Sequence, residues 1–321
     1  MVNVSLTRGT ASYEAVKGAL DLIGDDVDIP DDRPVLIKAN MVSPTVELSA
    51  TPVAAIRATL DFLVGKGVKK FTIVEGTAVD SDTMGGFQRF GYFSLREDYD
   101  VEFMDLNQDD SVIFECLDDN LDPANIRLAK TLFDSYIVSV ARMKTHSQVV
   151  ATMSVKNLAV GSIINDDRRL RSSGPTDVRL FSHLPKPLNL TLARLNKTLS
   201  PDLAVIDGVI GMQGNGPVTG YPIASDVALA STDPLAADIV GTEIMGLDWR
   251  TIGYLWYLTD LRGLNVDDIE VIGENPSENV CKYQTHDELP WQLGWWVENW
   301  KTYLDGDYLR DLDETEACDS I

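Results

Sequence analysis

The feature that most constrains this chain is the alternation of short, β-branched apolar runs with longer amphipathic stretches. Val2–Leu6 reads as a strand, and Tyr13–Ile23 as a helix with Ala15, Val16, Ala19, Leu20 and Leu22 on its inner side. Val35–Ala39 is a buried strand, followed by a helix through Phe62, Leu63 and Val64 with Thr51 as N-cap and Pro52 at its first position. Gly67 ends that helix and Phe71–Glu75 is the next strand. Strand, helix, strand, helix, strand predicts an α/β fold: a mostly parallel sheet with helices on both faces.

The same rhythm continues. Val101–Leu106 and Tyr136–Val140 read as strands, and Ser111–Cys116 with Ile126–Leu128 between them as a hairpin-like excursion. Helices are expected near Val155–Val160 and Leu188–Leu199, strands at Leu203–Asp207, Val227–Ala230 and Ile269–Ile272, and a helix over Pro234–Met245 capped by Asp233. No tandem repeat or low-complexity linker interrupts the series. The expected organisation is one α/β unit over residues 1–275, with room for a smaller inserted lobe, and an acidic, Trp-rich extension over 276–321. In that extension Trp291, Trp295, Trp296 and Trp300 recur about one helical turn apart, which predicts a helix docked on the body or on a second copy of the chain. Its flanks are acidic, whereas a membrane-surface helix carries Lys and Arg on its polar face.

Charge excludes several partners. The 321 residues carry a net charge of −23, with Asp in excess over Glu. Such a surface repels phosphate backbones and anionic lipid, so neither nucleic acid nor a membrane is an expected partner. A hydrated acidic surface suits a salty cytoplasm; an ordinary acidic protein is the equal alternative. Cys116, Cys281 and Cys318 are scattered, with no C-x-x-C, so this chain has neither iron–sulfur spacing nor a disulfide framework. The N-terminus lacks a basic segment followed by an apolar one, and no apolar run approaches the ~20 residues of a membrane span. A cytoplasmic location is expected.

Against that acidity, one segment is basic. Lys144-Thr145-His146 follows the Tyr136–Val140 strand, Lys156-Asn157 lies ten residues past His146, and Arg168, Arg169 and Arg171 come soon after. Ligands in open α/β sheets bind at the carboxyl ends of strands. A local concentration of cations there points to a small anionic ligand, a carboxylate or a phosphate. His146 could serve as acid, base or metal ligand, or simply bond a backbone carbonyl. Lys38-Ala39-Asn40 ends another strand; Lys38 faces the same crevice or pairs with Glu75 on the next strand, since a buried ammonium is costly alone. Asp207 opens a glycine-rich stretch through Gly211, Gly214, Asn215 and Gly216, which reads as an anion-cradling loop or a plain turn. It is neither a Walker A nor a dinucleotide fingerprint. No nucleophile elbow occurs, and the other histidines, His183 and His286, stand in unremarkable contexts, so no metal site is expected.

Four ordered motifs give this chain a resemblance to a known family. They are Val35–Asn40, then Lys144-Thr145-His146 with Ser154-Val155-Lys156-Asn157-Leu158, then Asp207-Gly208 with Gly214-Asn215-Gly216-Pro217 and Gly220, then Asp233-Pro234 with Ala236-Ala237-Asp238. Together they resemble the domain of unknown function 362 over roughly residues 30–275. Members often carry an added ferredoxin-like module, whose cysteines are absent here. The spacing of His146 and Lys156 is also distantly similar to the amino-terminal lobe of the nickel-pincer lactate racemases. There the lysine holds the nickel cofactor and histidines serve proton and hydride chemistry. The glycine-rich stretch before that lysine and a second histidine at the nickel-ligand position are missing. What carries over is the crevice, not the nickel cofactor.

The implied site has His146 and Lys156 as catalytic residues. Lys38, Asn40, Lys144, Asn157, Gly214, Asn215 and Gly216 hold and orient the ligand, and Asp207 and Asp238 set its charge. An isomerase, lyase or oxidoreductase with an unidentified bound cofactor, and a non-catalytic cofactor-binding or maturation scaffold, both fit.

Overall fold

The computed structural model describes residues 2–79, 82–165 and 181–310. Its first half follows the predicted rhythm: β1 (Val2–Arg8), α1 (Ser12–Leu22), β2 (Val35–Lys38), α2 (Val53–Gly65), β3 (Phe71–Glu75), α3 (Thr83–Arg89) and β4 (Val101–Asp105). A hairpin of β5 (Ser111–Leu117) and β6 (Pro123–Ala129) leads to the long β7 (Tyr136–His146), the short β8 (Val150–Thr152) and α4 (Ser154–Gly161). Then come α5 (Pro185–Thr198), β9 (Leu203–Gln213), β10 (Tyr221–Ala224), β11 (Val227–Ser231), α6 (Pro234–Ile244), α7 (Gly253–Arg262) and β12 (Ile269–Gly273). The C-terminal part holds α8 (Leu289–Gln292), α9 (Trp300–Leu304) and β13 (Leu309–Arg310).

The principal sheet runs β12-β1-β11-β9-β7-β2-β3-β4, with β8 and β10 paired to β7 and β9. Its pairs β7–β9, β2–β7, β2–β3, β3–β4 and β1–β12 are parallel, while β11 runs antiparallel to both neighbours. The hairpin β5–β6 joins β13 in a separate three-stranded antiparallel sheet. The α/β class expected from the sequence is the class observed, and the excursion between β4 and β7 is the hairpin foreseen.

Strand alternation divides the core. Ile37 of β2 packs with Ala15 of α1, Ile56 and Leu60 of α2 and Phe87 of α3 on one face. Leu36 points the other way, with Leu158 of α4, and Ile206 of β9 joins Leu192, Ile239 and Leu255 of α5, α6 and α7. Helices therefore cover both faces. Burying a Leu or Ile side chain contributes about 1.5–3 kcal/mol, so these two layers dominate the favourable side of folding.

Chain order sets where a ligand can enter. From β2 the chain steps outward to β3 and β4, then returns to lay β7 on the other side of β2 and β9 beyond it. The crossovers diverge between β2 and β7, and this reversal opens a crevice at the carboxyl ends of the strands. Lys38-Ala39-Asn40 and Lys144-Thr145-His146 end those two strands.

Three local expectations are corrected. Thr51 is not the helix cap: Pro52 holds that position, and the Thr51 hydroxyl donates to the Val140 carbonyl at 2.6 Å while accepting from the Asn40 N–H at 2.9 Å. Asp233 does cap its helix, accepting from Leu235 and Ala236 N–H. The glycine-rich stretch after Asp207 is mostly strand, because β9 runs on to Gln213 and pairs with β10. The Trp-rich segment is two short helices joined through turns, not one helix, since Pro290 starts a turn that Gly294 breaks. Trp295 and Trp300 are buried among Trp256 and Tyr257 of α7 in edge-on and tilted ring contacts, while Trp291 and Trp296 stay exposed.

Candidate functional site

The floor of the crevice is a closed polar network. Lys38 is fully buried and forms an ion pair with Glu75 Oε1 at 3.1 Å, the alternative weighed from the sequence. Its ammonium also donates to the Ala39 carbonyl at 2.7 Å and to Asn157 Oδ1 at 3.2 Å. Asn157, on α4, donates to the Lys38 carbonyl and the Ser139 hydroxyl, and its Oδ1 accepts from Asn40 Nδ2 at 3.0 Å. Asn40 Oδ1 accepts in turn from Lys144. Glu75 accepts from the backbone N–H of Met41 and of Gly76. Every member is tied to another, the condition under which a buried polar cluster rigidifies a fold.

This network rests on a close approach. A Cβ at Gly161, the last residue of α4, would lie 2.5 Å from Lys38 Cε and 2.7 Å from its Nζ. Glycine is what lets the end of α4 sit on that ammonium.

Lys144 is buried completely, and desolvation, with Arg142, Lys156 and Lys38 nearby, lowers its pKa well below the usual lysine value. Its Nζ has two acceptors, Asn40 Oδ1 and the Ser49 carbonyl at 2.8 Å, matching the two protons of a neutral amine. Lys144 therefore supports the floor from behind.

The wall of the crevice is different. A cleft of about 310 Å³ is lined by His146, Lys156 and His183 together with Asn40, Glu75 and Asn157. His146 ends β7, and the turn to β8 places Gln148 so that its N–H donates to His146 Nδ1 at 3.0 Å. That bond assigns the ring proton to Nε2. Burial, with Lys156 and Lys144 close by, lowers the His146 pKa well below the usual histidine value, so the ring is neutral at pH 7. His146 presents an N–H donor. The hairpin that sets this polarity holds Val150 at φ 66°, a left-handed conformation that a β-branched residue adopts only at a cost of about 1–3 kcal/mol.

Not every predicted residue reaches the cleft. Asp238 lies behind α4, accepting from the Ser154 and Val155 N–H groups at 2.8 and 3.1 Å. Burial pushes its carboxyl up to about 8, against the pull of those two donors. Its role is to seat the helix that carries Lys156. Asp207 is fully buried in β9, accepts from the Val209 N–H at 2.9 Å, and is raised by desolvation. Gly214 and Gly216 serve packing: the Thr145 hydroxyl donates to the Gly214 carbonyl at 2.8 Å, and a Cβ on Gly216 would fall 2.3 Å from the Thr145 carbonyl oxygen. Asn215 pairs with Asp287 at the surface, Nδ2 to Oδ2 at 2.9 Å. The next residues, Pro217 and Val218, do line the cleft. Arg168, Arg169 and Arg171 lie outside the described residues.

His183 is the residue the sequence reading passed over. It lines the same cleft as His146 and Lys156 although 37 positions beyond the first, and its ring meets Phe181 edge-on at 5.3 Å. The one sequence signal was rarity: the chain has three histidines, and two of them share the cleft. Among the described residues no group of three or more His, Cys, Asp or Glu side chains is arranged to hold a metal ion. Among them, too, no helix is long and apolar enough to cross a membrane.

The chain is 28% identical over 269 residues to a thylakoid-associated protein of Synechocystis sp., covering 78% of this chain and 76% of that one. The lactate racemase apoprotein from Thermoanaerobacterium thermosaccharolyticum aligns over 76% of this chain at 12% identity and a TM-score of 0.49, and the chain spans 57% of its length. A protein from Thermotoga maritima aligns over 79% of this chain and 60% of its own length, at 12% identity and a TM-score of 0.45. The model of the domain of unknown function DUF362 matches residues 35–243, from the strand bearing Lys38 to the helix bearing Asp238, and the chain belongs to that family.

Proposed function

We propose that the crevice binds a small anionic metabolite, a carboxylate or a phosphate, with Lys156 supplying the charge and His146 a hydrogen bond from Nε2–H. The observation that carries this reading is that Lys156, His146 and His183 line one cleft in a protein of net charge −23. Among the described residues that line the cleft, the one carboxylate is that of Glu75, and it is paired with Lys38. A cation and a neutral donor in a partly desolvated cleft select an anion by charge and by geometry.

The polarity of His146 bears on what happens to the ligand. With Nδ1 filled by the Gln148 N–H, the ring polarises an oxygen but has no lone pair with which to take a proton. This favours a holding role, as a cofactor-binding or maturation scaffold, over an isomerase or lyase that uses His146 as base. A cytoplasmic location is part of the proposal.

Thermal-shift titration of phosphate and of small carboxylates tests the reading. Wild type should be stabilised, with the shift lost in Lys156→Met and reduced in His146→Gln. Equal shifts in all three proteins would sink it. A turnover whose pH profile shows a basic group that disappears with His146→Gln would restore the enzymatic reading.

A further inference from the structure

The anion cleft does not end at His183. A second cavity of about 380 Å³ shares Ser147, Gln148 and His183 with it and is closed on the far side by Leu184, Glu288 and Trp291. Two of those residues come from the C-terminal segment. That segment is anchored to the site rather than merely adjacent: Gln292, buried to 1% exposure, donates from Nε2 to the His146 carbonyl at 2.9 Å. Asp287 N–H donates to Asn215 Oδ1 at 3.1 Å, and Gly214 N–H donates to the Gln284 carbonyl at 2.7 Å. Trp291, one residue before Gln292, is thereby held at a fixed place relative to His146.

Trp291 is 41% exposed. The other C-terminal tryptophans, Trp295, Trp296 and Trp300, pack on Trp256 and Tyr257, whereas among the described residues Trp291 has no ring partner of that kind. An indole kept out of the aromatic cluster, on a helix fastened to the site, offers a flat apolar face to whatever occupies the groove. The charge of the groove also changes along its length. Lys156 and the His146 N–H stand at one end, and the Glu288 carboxylate at the other.

We propose that the groove takes a two-part ligand: an anionic group at Lys156 and a planar ring bearing N–H donors, stacked on Trp291 with its donor edge toward Glu288. A nucleoside monophosphate has this chemistry. A bare carboxylate or phosphate would leave the second cavity empty, and a second anion there would meet Glu288. The proposal rests on the anion reading of the first cleft.

Isothermal titration of the full chain with inorganic phosphate, adenosine and adenosine monophosphate separates the two. Wild type should bind the monophosphate at least about 10-fold tighter than phosphate. Trp291→Ala should erase that advantage while leaving phosphate affinity unchanged, and Trp291→Phe, which keeps an aromatic face, should retain most of it. Trp291 is exposed, so an unchanged thermal midpoint of the alanine variant confirms that the fold is intact. If the monophosphate binds no tighter than phosphate, or the advantage persists in Trp291→Ala, the ring subsite is wrong. In that case phosphate binding that is still lost in Lys156→Met leaves the anion reading standing. Absence of binding by phosphate and monophosphate alike overturns both.

Discussion

Two layers of the same crevice carry lysines, and they behave in opposite ways. In the floor, Lys38 and Lys144 are wholly buried, and the Lys38 ammonium and the Lys144 amine are committed to Glu75, Asn40, Asn157 and backbone carbonyls. In the wall, Lys156 and His146 line the space a ligand would fill. Similar residues on neighbouring strands and a helix thus divide into those that hold the floor together and those that line the cleft in which the proposed anion would sit. Charge in a sequence says nothing about that division. Position decides it: Lys156 and His146, though largely buried, reach the cleft surface, whereas Lys38 and Lys144 lie behind it with no exposure at all.

The largest expected effect breaks the floor. Lys38→Met leaves the Glu75 carboxylate buried without its cation and should cost about 3–5 kcal/mol in urea unfolding. Lys156→Met, which keeps the aliphatic stem, should cost less than half as much while removing anion binding. Reversed magnitudes would abolish the distinction between the layers. The double change Lys38→Met with Glu75→Gln should recover much of the loss, since it removes both charges together.

Next is Gly161→Ala. The added methyl must displace a Lys38 ammonium that has no other place to go, and about 1–3 kcal/mol of destabilisation is expected in the same assay. A neutral result would show that the end of α4 can withdraw from the floor.

Above about pH 8, where the carboxylate is ionised and accepts both N–H groups, Asp238→Asn should cost a similar or slightly smaller amount, about 1–3 kcal/mol, because the new amide donor faces the Val155 N–H. Its pH dependence sharpens the point. A carboxyl raised to about 8 binds a proton in the folded state that the unfolded chain releases near its ordinary value. Its contribution is therefore complete below about 4 and declines as pH rises through about 8. The variant should lack that decline in unfolding free energy between about pH 6 and 8.

His146 has the opposite sign. Its folded pKa lies well below the unfolded value, so the unfolded chain gains a proton first as the pH falls. Stability from the neutral ring is present above about pH 6.5 and is lost below it, by at most about 1.4 kcal/mol per pH unit. His146→Gln should flatten this acid limb. An unchanged limb would mean that the imidazole is accessible to protons in the folded protein, and the donor assignment would fail with it.

Much of this was legible in the sequence, for a local reason. The alternation that defines β2, β3, β7 and β9 is a period-two signal within a few residues, and it placed Lys38, Asn40, Lys144 and His146 at carboxyl ends of strands. Asp233 was readable as a cap because capping acts across three residues. The stretch after Asp207 misled because four nearby glycines suggest a loop, whereas here Gly208 and Gly211 lie within β9. The tryptophan spacing misled because helical periodicity cannot register the break that Gly294 introduces.

By itself, the sequence determined the α/β class, the family and the basic segment around His146 and Lys156, because each is written in residues near one another along the chain. Only the tertiary structure decided which charges are paired. The Lys144–Asn40 bond spans 104 positions, the Lys38–Asn157 bond 119, and the bond from Gln292 to the His146 carbonyl 146. No local pattern encodes such partners. They follow from the return of the chain that lays β7 beside β2 and from the desolvation that forces every buried polar group to find one.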